Sequence, residues 1–190
     1  KIVNNNLAQT AQFDANGLPN NNSNLKELTG QTTSNGVELD ITTNFLKGLS
    51  VIAGYSYNDM HYTKTPGTKG SYVTGERLVN TPAHTANASA FYTFSRGGLT
   101  GLKLGAAIFY VGDRFGGWNN TIEQTQNYSR LIPVDGFTTI DLSAGYSIKR
   151  FSLLAKVSNL TNTYNYYVHE NYSINPIPPT QFVTTVAYKF

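Results

Sequence analysis

The sequence predicts an all-β fold, an antiparallel transmembrane β-barrel of about eight strands. Segments of alternating apolar and polar residues follow one another along the chain, the period of a strand with two unlike faces. The connections between them alternate long and short, as in a barrel with long loops outside the cell and tight turns in the periplasm. Glu38, Asp40, Lys103, Asp141, Lys156 and Lys189 all sit on the parity opposite the large apolar side chains. A face bordering water tolerates an occasional lysine, whereas a lysine facing lipid at the midplane costs about 2–4 kcal/mol.

Residues 1–10 form a weak strand candidate, and 11–28, with Asn-Gly-Leu-Pro-Asn-Asn-Asn, read as a polar loop. Residues 36–45 then alternate, with Val37, Leu39, Ile41, Thr43 and Phe45 on one side and Glu38, Asp40, Thr42 and Asn44 on the other. A short turn at Leu46-Lys47-Gly48 leads to Leu49, Val51, Ala53, Tyr55 and Tyr57, opposite Ser50, Ile52, Gly54, Ser56 and Asn58. A long loop over 59–82 precedes the segment carrying Ala86, Ala88, Ala90, Tyr92 and Phe94. A Gly-rich turn over 95–101 joins it to Leu102, Leu104, Ala106, Ile108 and Tyr110. A second long loop over 112–135 follows, then Ile140, Leu142, Ala144, Tyr146 and Ile148, the two-residue turn Lys149-Arg150, and Phe151, Leu153, Ala155 and Val157. A third long loop, 161–179, leads to the final strand, 182–190.

On the apolar parity, Phe45, Tyr92, Phe94, Tyr146, Phe151, Tyr188 and Phe190 cluster at the level of the short turns. Tyr55, Tyr57 and Tyr110 cluster at the other level, with Ala, Val, Leu and Ile between. Two aromatic girdles around an aliphatic band are what the two bilayer interfaces select. A soluble sandwich explains the same residues as core but predicts no second level.

Composition narrows the function classes. Of the 190 residues only 13% are charged and 39% apolar, and the chain is rich in Asn, Thr, Ser, Gly and Tyr, which favour strands and turns. Cysteine is absent, so the chain carries no disulfide framework, thiol nucleophile or thiolate metal site. The net charge of +3 comes without a Lys/Arg run, which argues against nucleic acid as a partner. No stretch is long and apolar enough for a transmembrane helix. The sequons at Asn87, Asn119, Asn127, Asn159 and Asn171 are accidents expected of so Asn- and Thr-rich a chain. His61, His84 and His169 show no metal-ligand spacing, and no Gly-x-Ser-x-Gly elbow accompanies the many serines, so neither a metal site, a resident cofactor nor catalysis is expected.

Several stretches resemble, in order, the carboxy-terminal barrel of TonB-dependent outer-membrane receptors of the siderophore-receptor branch. They are Gly36-Val-Glu-Leu-Asp, Val79-Asn-Thr-Pro-Ala-His-Thr-Ala-Asn, Tyr110-Val-Gly-Asp-Arg-Phe-Gly, Gly136-Phe-Thr-Thr-Ile-Asp-Leu-Ser-Ala-Gly-Tyr and Val157-Ser-Asn-Leu-Thr-Asn-Thr-Tyr. Asn159-Leu160 followed by Tyr164 is similar to the family's Asn-Leu-Phe-Asp-x-x-Tyr, with Thr161 and Asn162 in place of Phe-Asp. Pro178-Pro179-Thr180 stands where the family often has Pro-Arg-Thr. The aromatic ending at Phe190 resembles the assembly signal of outer-membrane barrels.

The resemblance implies uptake of a ferric siderophore across the outer membrane of a Gram-negative bacterium. It also implies a 22-stranded barrel of which 1–190 is the carboxy-terminal portion, without the plug domain. Its partners would be outer-membrane lipid, the rest of the barrel and plug, the TonB complex through the missing amino-terminal part, and the siderophore. The direct alternative is a complete eight-stranded barrel with a structural or adhesive role.

Within that family the long loops would hold the ligand. Trp118, Tyr128 and Arg130 in the second, and Tyr166, His169 and Tyr172 in the third, offer aromatic faces and charge suited to an anionic ferric-siderophore complex. The same tyrosines equally suit packing of loop on loop. Glu38, Asp40, Lys103, Asp141 and Lys156 would point into the lumen, toward the family's plug. The topology predicts that cysteines replacing Lys69 and Arg130 react with an impermeant label on intact cells, whereas Lys47→Cys and Lys149→Cys do not. Labelling at 149 with none at 69 would invert the assignment.

Overall fold

The computed structural model describes residues 1–10, 22, 24–65, 72–118, 131–169 and 173–190. Their strands are β1 (Ile2–Thr10), β2 (Lys26–Leu46), β3 (Leu49–Lys64), β4 (His84–Thr93), β5 (Leu102–Val111), β6 (Arg114–Trp118), β7 (Leu131–Val134), β8 (Phe137–Ile148), β9 (Phe151–Ser158), β10 (Tyr166–His169), β11 (Ser173–Pro176) and β12 (Gln181–Tyr188). A single 3₁₀ turn over Gly97–Leu99 interrupts the strands.

Eight strands form one antiparallel sheet in the order β1-β2-β3-β4-β5-β8-β9-β12. The hairpins β6–β7 and β10–β11 form two separate two-stranded sheets, each inserted into a long connection. The ends of the large sheet, β1 and β12, do not pair with each other. Moreover, β1 pairs with β2 only from Lys26 to Ser34, so, among the described residues, 36–46 have no strand on that side.

Register settles which residues share a face, because directly opposed residues of antiparallel strands project to the same side. Leu39 faces Tyr55, which faces Ala86, which faces Tyr110. At the next level down, Val51, Ala90, Ala106, Leu142, Val157 and Phe182 run across five neighbouring pairs. The apolar parity read from each segment alone is therefore one continuous face. No part of the described chain covers it: Leu39 is 55% exposed, Leu142 42% and Val186 68%, and the buried apolar side chains are Tyr62 and Ile177, both toward the loop end. So much contiguous exposed apolar surface requires an apolar solvent or partner.

Both aromatic levels are present. At the turn end Tyr92 meets Phe94 edge-on at 4.7 Å, and Tyr188 lies 4.8 Å from Phe151 and 5.1 Å from Phe190. At the loop end Tyr55 and Tyr57 pack on His84, whose Nδ1 lies 2.8 Å from the Tyr55 hydroxyl. The side chain of Phe45 lies outside the described residues.

The structure moves several boundaries. β2 begins at Lys26 rather than at 36, where residues 26–35 are largely polar on both faces, and β3 runs on to Lys64, with Met60 and Tyr62 as the apolar side chains of its upper part. This upper part stands clear of the apolar band. Residues 75–83, expected as loop, return along β3, with Gly75 N donating to Tyr62 O at 2.8 Å and Leu78 N to Met60 O at 3.1 Å. The final strand ends at Tyr188, and Phe190 stands beyond it, 99% exposed. Most of the polar loop expected over 11–28 lies outside the described residues.

The faces predict unequal tolerance of charge. In the intact barrel, Ala144→Arg on the apolar face should cost about 2–4 kcal/mol of folding free energy and so lower the folded yield in liposomes, whereas its neighbour Ser143→Arg should fold nearly as the unsubstituted protein does. Equal yields would refute the face assignment.

Candidate functional site

Glu38, Asp40, Lys103, Asp141 and Lys156 share the face opposite the apolar one: Glu38 faces Ser56, Asp40 faces Gly54, Lys103 faces Thr93, Asp141 faces Ala107 and Lys156 faces Ser143. Gly54 leaves the space in which Asp40 and Asn87 converge, since a Cβ there would lie 2.9 Å from Asp40 Oδ1 and 3.0 Å from Asn87 Nδ2. Asp141 and Lys156 form an ion pair of 2.8 Å. Asp141 also accepts the backbone N–H of Asn159 at 3.0 Å, so its charge is committed to the root of the third long loop. This face is not uniformly polar. Ile52, Phe91, Phe109 and Leu154 lie on it by register, and Phe91 leans over Gly105, where a Cβ would stand 2.7 Å from its ring.

Two polar knots organise the loop end. Asn159, buried and at φ 49°, accepts from Thr163 N at 2.9 Å and donates through Nδ2 to Thr163 O and Pro178 O, each at 2.9 Å. Its own carbonyl accepts from Thr180 Oγ1 at 2.7 Å. Asn tolerates the left-handed region, and its amide here serves three backbone partners. The Asn159-Leu160 stretch and Thr180 thus close the third loop on itself.

The second knot is Arg114 at the start of β6. Buried to 7% exposure, its guanidinium donates to Asp135 O and Asn165 Oδ1, each at 3.2 Å, and to Tyr166 O. It also sits 5.6 Å over the Phe137 ring. Burial lowers its pKa from the ordinary value and the nearby Tyr167 opposes that shift; the group remains a cation throughout the physiological range. Asn165, also buried, returns a hydrogen bond to Asp135 O at 3.0 Å. The knot fastens the β6–β7 hairpin to the β10–β11 hairpin, which touch again where Gly116 leaves room for Val168. Beneath them a cavity of about 370 Å³ opens against the polar face, lined by Phe109, Phe137, Asp141, Tyr167 and Pro178 among others.

The hairpins present aromatics. Tyr164 is 73% exposed and meets Tyr166 edge-on at 5.1 Å, with their hydroxyls 3.0 Å apart, a hydrogen bond that raises the Tyr166 pKa. Tyr167 packs edge-on against Phe137 at 6.4 Å, so it serves loop packing. Of the expected ligand-contacting residues, Tyr166 is placed here. Trp118 and His169 end β6 and β10 with their side chains outside the described residues, and Tyr128, Arg130 and Tyr172 lie wholly outside them. Arg114, Asn159 and Asn165 were not singled out as site residues from sequence. The available signal was Arg114 and Asn159 inside family-like stretches of a charge-poor chain; Asn165 lies just past one of them.

The family description "TonB dependent receptor-like, beta-barrel" matches residues 3–160. The Metal-pseudopaline receptor CntO of Pseudomonas aeruginosa is 29% identical over 136 residues, 71% of this chain and 17% of that protein. The Ferrioxamine B receptor of Salmonella typhimurium is 28% identical over 138 residues, 70% of this chain and 18% of that protein. Among solved structures, BauA, the ferric preacinetobactin receptor of Acinetobacter baumannii, superposes with a TM-score of 0.74 at 22% identity, over 97% of this chain and 25% of that one. The chain therefore spans under a fifth of the length of these curated relatives.

Replacing Arg114 with Leu removes the donor to the Tyr166 carbonyl and to the buried Asn165 Oδ1, while Asp135 O keeps the Asn165 amide; a hydrogen bond from a charged group is worth about 1.5–3 kcal/mol. The expected result is faster amide hydrogen exchange over Tyr166–Val168, with protection in β8 and β9 unchanged. Unchanged exchange in the hairpin would show that Arg114 does not hold the two together.

Proposed function

Because the chain belongs to the TonB-dependent receptor β-barrel family, we propose that residues 1–190 form the carboxy-terminal strands of an outer-membrane receptor that takes up ferric siderophores in a Gram-negative bacterium. Two features support the reading as part of a larger barrel. The apolar face needs lipid, and the open edges of β2 over 36–46 and of β12 carry backbone groups that hydrocarbon would leave unsatisfied at several kcal/mol each. The remaining barrel strands would pair these edges. The plug would lie against the polar face, near Glu38, Asp40 and Lys103 and the apolar Phe91 and Phe109. The TonB complex would engage the part of the receptor ahead of the plug.

The observation that carries the transport reading is the clamp between the two hairpins. A ligand site needs groups fixed before the ligand arrives, since ordering loops on binding lowers affinity. Arg114 and Asn165 supply that order where the long loops stand over the polar face. The exposed Tyr164–Tyr166 pair then offers stacking faces and hydroxyls to a mixed-polarity ferric complex. Trp118, His169, Tyr128, Arg130 and Tyr172 are the other contacts in this proposal. The family is one of transport receptors, and the chemistry proposed is recognition and passage without bond-breaking.

In the intact receptor, Tyr164→Ala/Tyr166→Ala should weaken binding of the ferric siderophore by about tenfold, equivalent to the loss of one good aromatic contact, with folding unchanged. Binding at the original affinity would remove this pair from the site. Iron uptake that does not change when the whole receptor is deleted would overturn the transport reading itself.

A further inference from the structure

The apolar face carries a depression, and the end of the sheet next to it carries unpaired positive charge. Ala90 faces Ala106, with Leu142 next at that level, and Ala144 faces Ala155, with Leu104 next at that level, so each pair of methyl groups leaves a low spot beside a larger residue. Tyr92 and Phe182 help wall a trough of about 540 Å³ over them, almost wholly apolar. From Ala144 to Ile148 at the end of β8 is four residues, roughly 13 Å at strand rise, about the depth of one leaflet's hydrocarbon.

The tight turns hold Lys47, Arg96, Lys149 and Arg150, and Lys189 follows β12. The backbone sets these turns side by side: Thr93 N donates to Gly48 O at 2.7 Å, Ser147 N to Gly101 O at 3.3 Å, and Lys189 N to Arg150 O at 2.8 Å. Residues 44–51, 91–104, 146–153 and 186–190 contain no Asp or Glu. All five cations are exposed, and among the described residues none has a carboxylate partner. At the loop end, by contrast, Arg77 pairs with Asp59 at 2.9 Å. Lys149 moreover adopts φ 50°, a left-handed conformation that suits Gly or Asn better than a lysine. Like charges gathered without an Asp or Glu among them repel one another, and an anion seated there relieves that repulsion.

We propose that this corner of the sheet binds an anionic phospholipid of the periplasmic leaflet, its phosphate among the turn cations Arg96, Lys149 and Arg150 and one acyl chain in the alanine trough. The trough supplies an apolar slot open to the surrounding hydrocarbon. The turn cations supply a complement to phosphate that a zwitterionic lipid satisfies less well. The inference rests on the apolar face lying in a bilayer with the tight turns in the periplasm, and not on the transported ligand.

The test uses the intact receptor in phosphatidylethanolamine nanodiscs doped with spin-labelled phosphatidylglycerol or spin-labelled phosphatidylethanolamine. The expected result is preferential immobilisation of phosphatidylglycerol, reduced about tenfold in Arg96→Gln/Lys149→Gln/Arg150→Gln and reduced also in Ala106→Leu/Ala144→Leu, which fills the trough and keeps the charges. Heat-modifiable mobility checks that each variant is folded, and inorganic phosphate should fail to displace the lipid. Equal immobilisation of the two lipids overturns the proposal, as does a preference that survives loss of the cations. Retention that the filled trough does not change, or displacement by inorganic phosphate, overturns it by showing a bare anion patch. Loss of siderophore uptake in any variant bears on the transport reading and leaves this outcome untouched.

Discussion

A sheet whose large apolar side chains all face one way, with nothing of its own chain covering them, is stable only where the solvent on that side is apolar. That constraint governs the rest of the structure. A soluble domain buries such a face against a second layer; here register carries one apolar face unbroken from β2 to β12, and the buried residues gather instead near the loop end, at Thr32, Thr33, Tyr62, Arg114, Asn159 and Asn165. Hydrocarbon then imposes a second condition, because it offers no hydrogen bonds. Every backbone group in the band must find a neighbouring strand, which is why an eight-stranded sheet with open edges points to further strands of one barrel.

Above the band the constraint lifts, and the chain changes character. β2 and β3 run on as polar strands, residues 75–83 fold back along β3, and the second and third long connections each fold into a hairpin. Water on both sides permits polar residues but supplies no large core, so single buried polar groups hold these pieces. Arg114 serves two connections at once, and Asn159 ties one connection to its own root and, through Asp141 and Lys156, to the sheet. Charge on the polar face is thus partly structural: Asp141 and Lys156 satisfy each other and the loop.

The membrane strands were legible in the sequence because lipid on one face and water on the other enforce a period of two, and their phase followed from where Val37, Leu39 and Ile41 stand against Glu38 and Asp40. The upper parts of β2 and β3 were not, since Gln31-Thr-Thr-Ser-Asn has no unlike faces to alternate. Nor were the hairpins: β6 reads Arg-Phe-Gly-Gly-Trp, with an irregular register between Phe115 and Gly117, and its reason for order is Arg114's partners some twenty and fifty residues away. The apolar residues of the polar face, Phe91 and Phe109 above all, escaped for the opposite reason. Alternation names the dominant face and treats the other as polar by default. The ligand-side expectations at Tyr128, Arg130 and Tyr172 fall outside the described residues.

The central claim, that one face of this sheet meets lipid and the other does not, is tested most directly by a cysteine scan along Ile140 to Ile148 in the intact receptor. The chain has no native cysteine to confuse the readout. With a spin label at each position, collision with lipid-dissolved oxygen should be high at 140, 142, 144, 146 and 148 and low at 141, 143, 145 and 147, a period of two that the register of β5, β8 and β9 requires. Accessibility that varies smoothly along the strand, or alternates in the opposite phase, would contradict it.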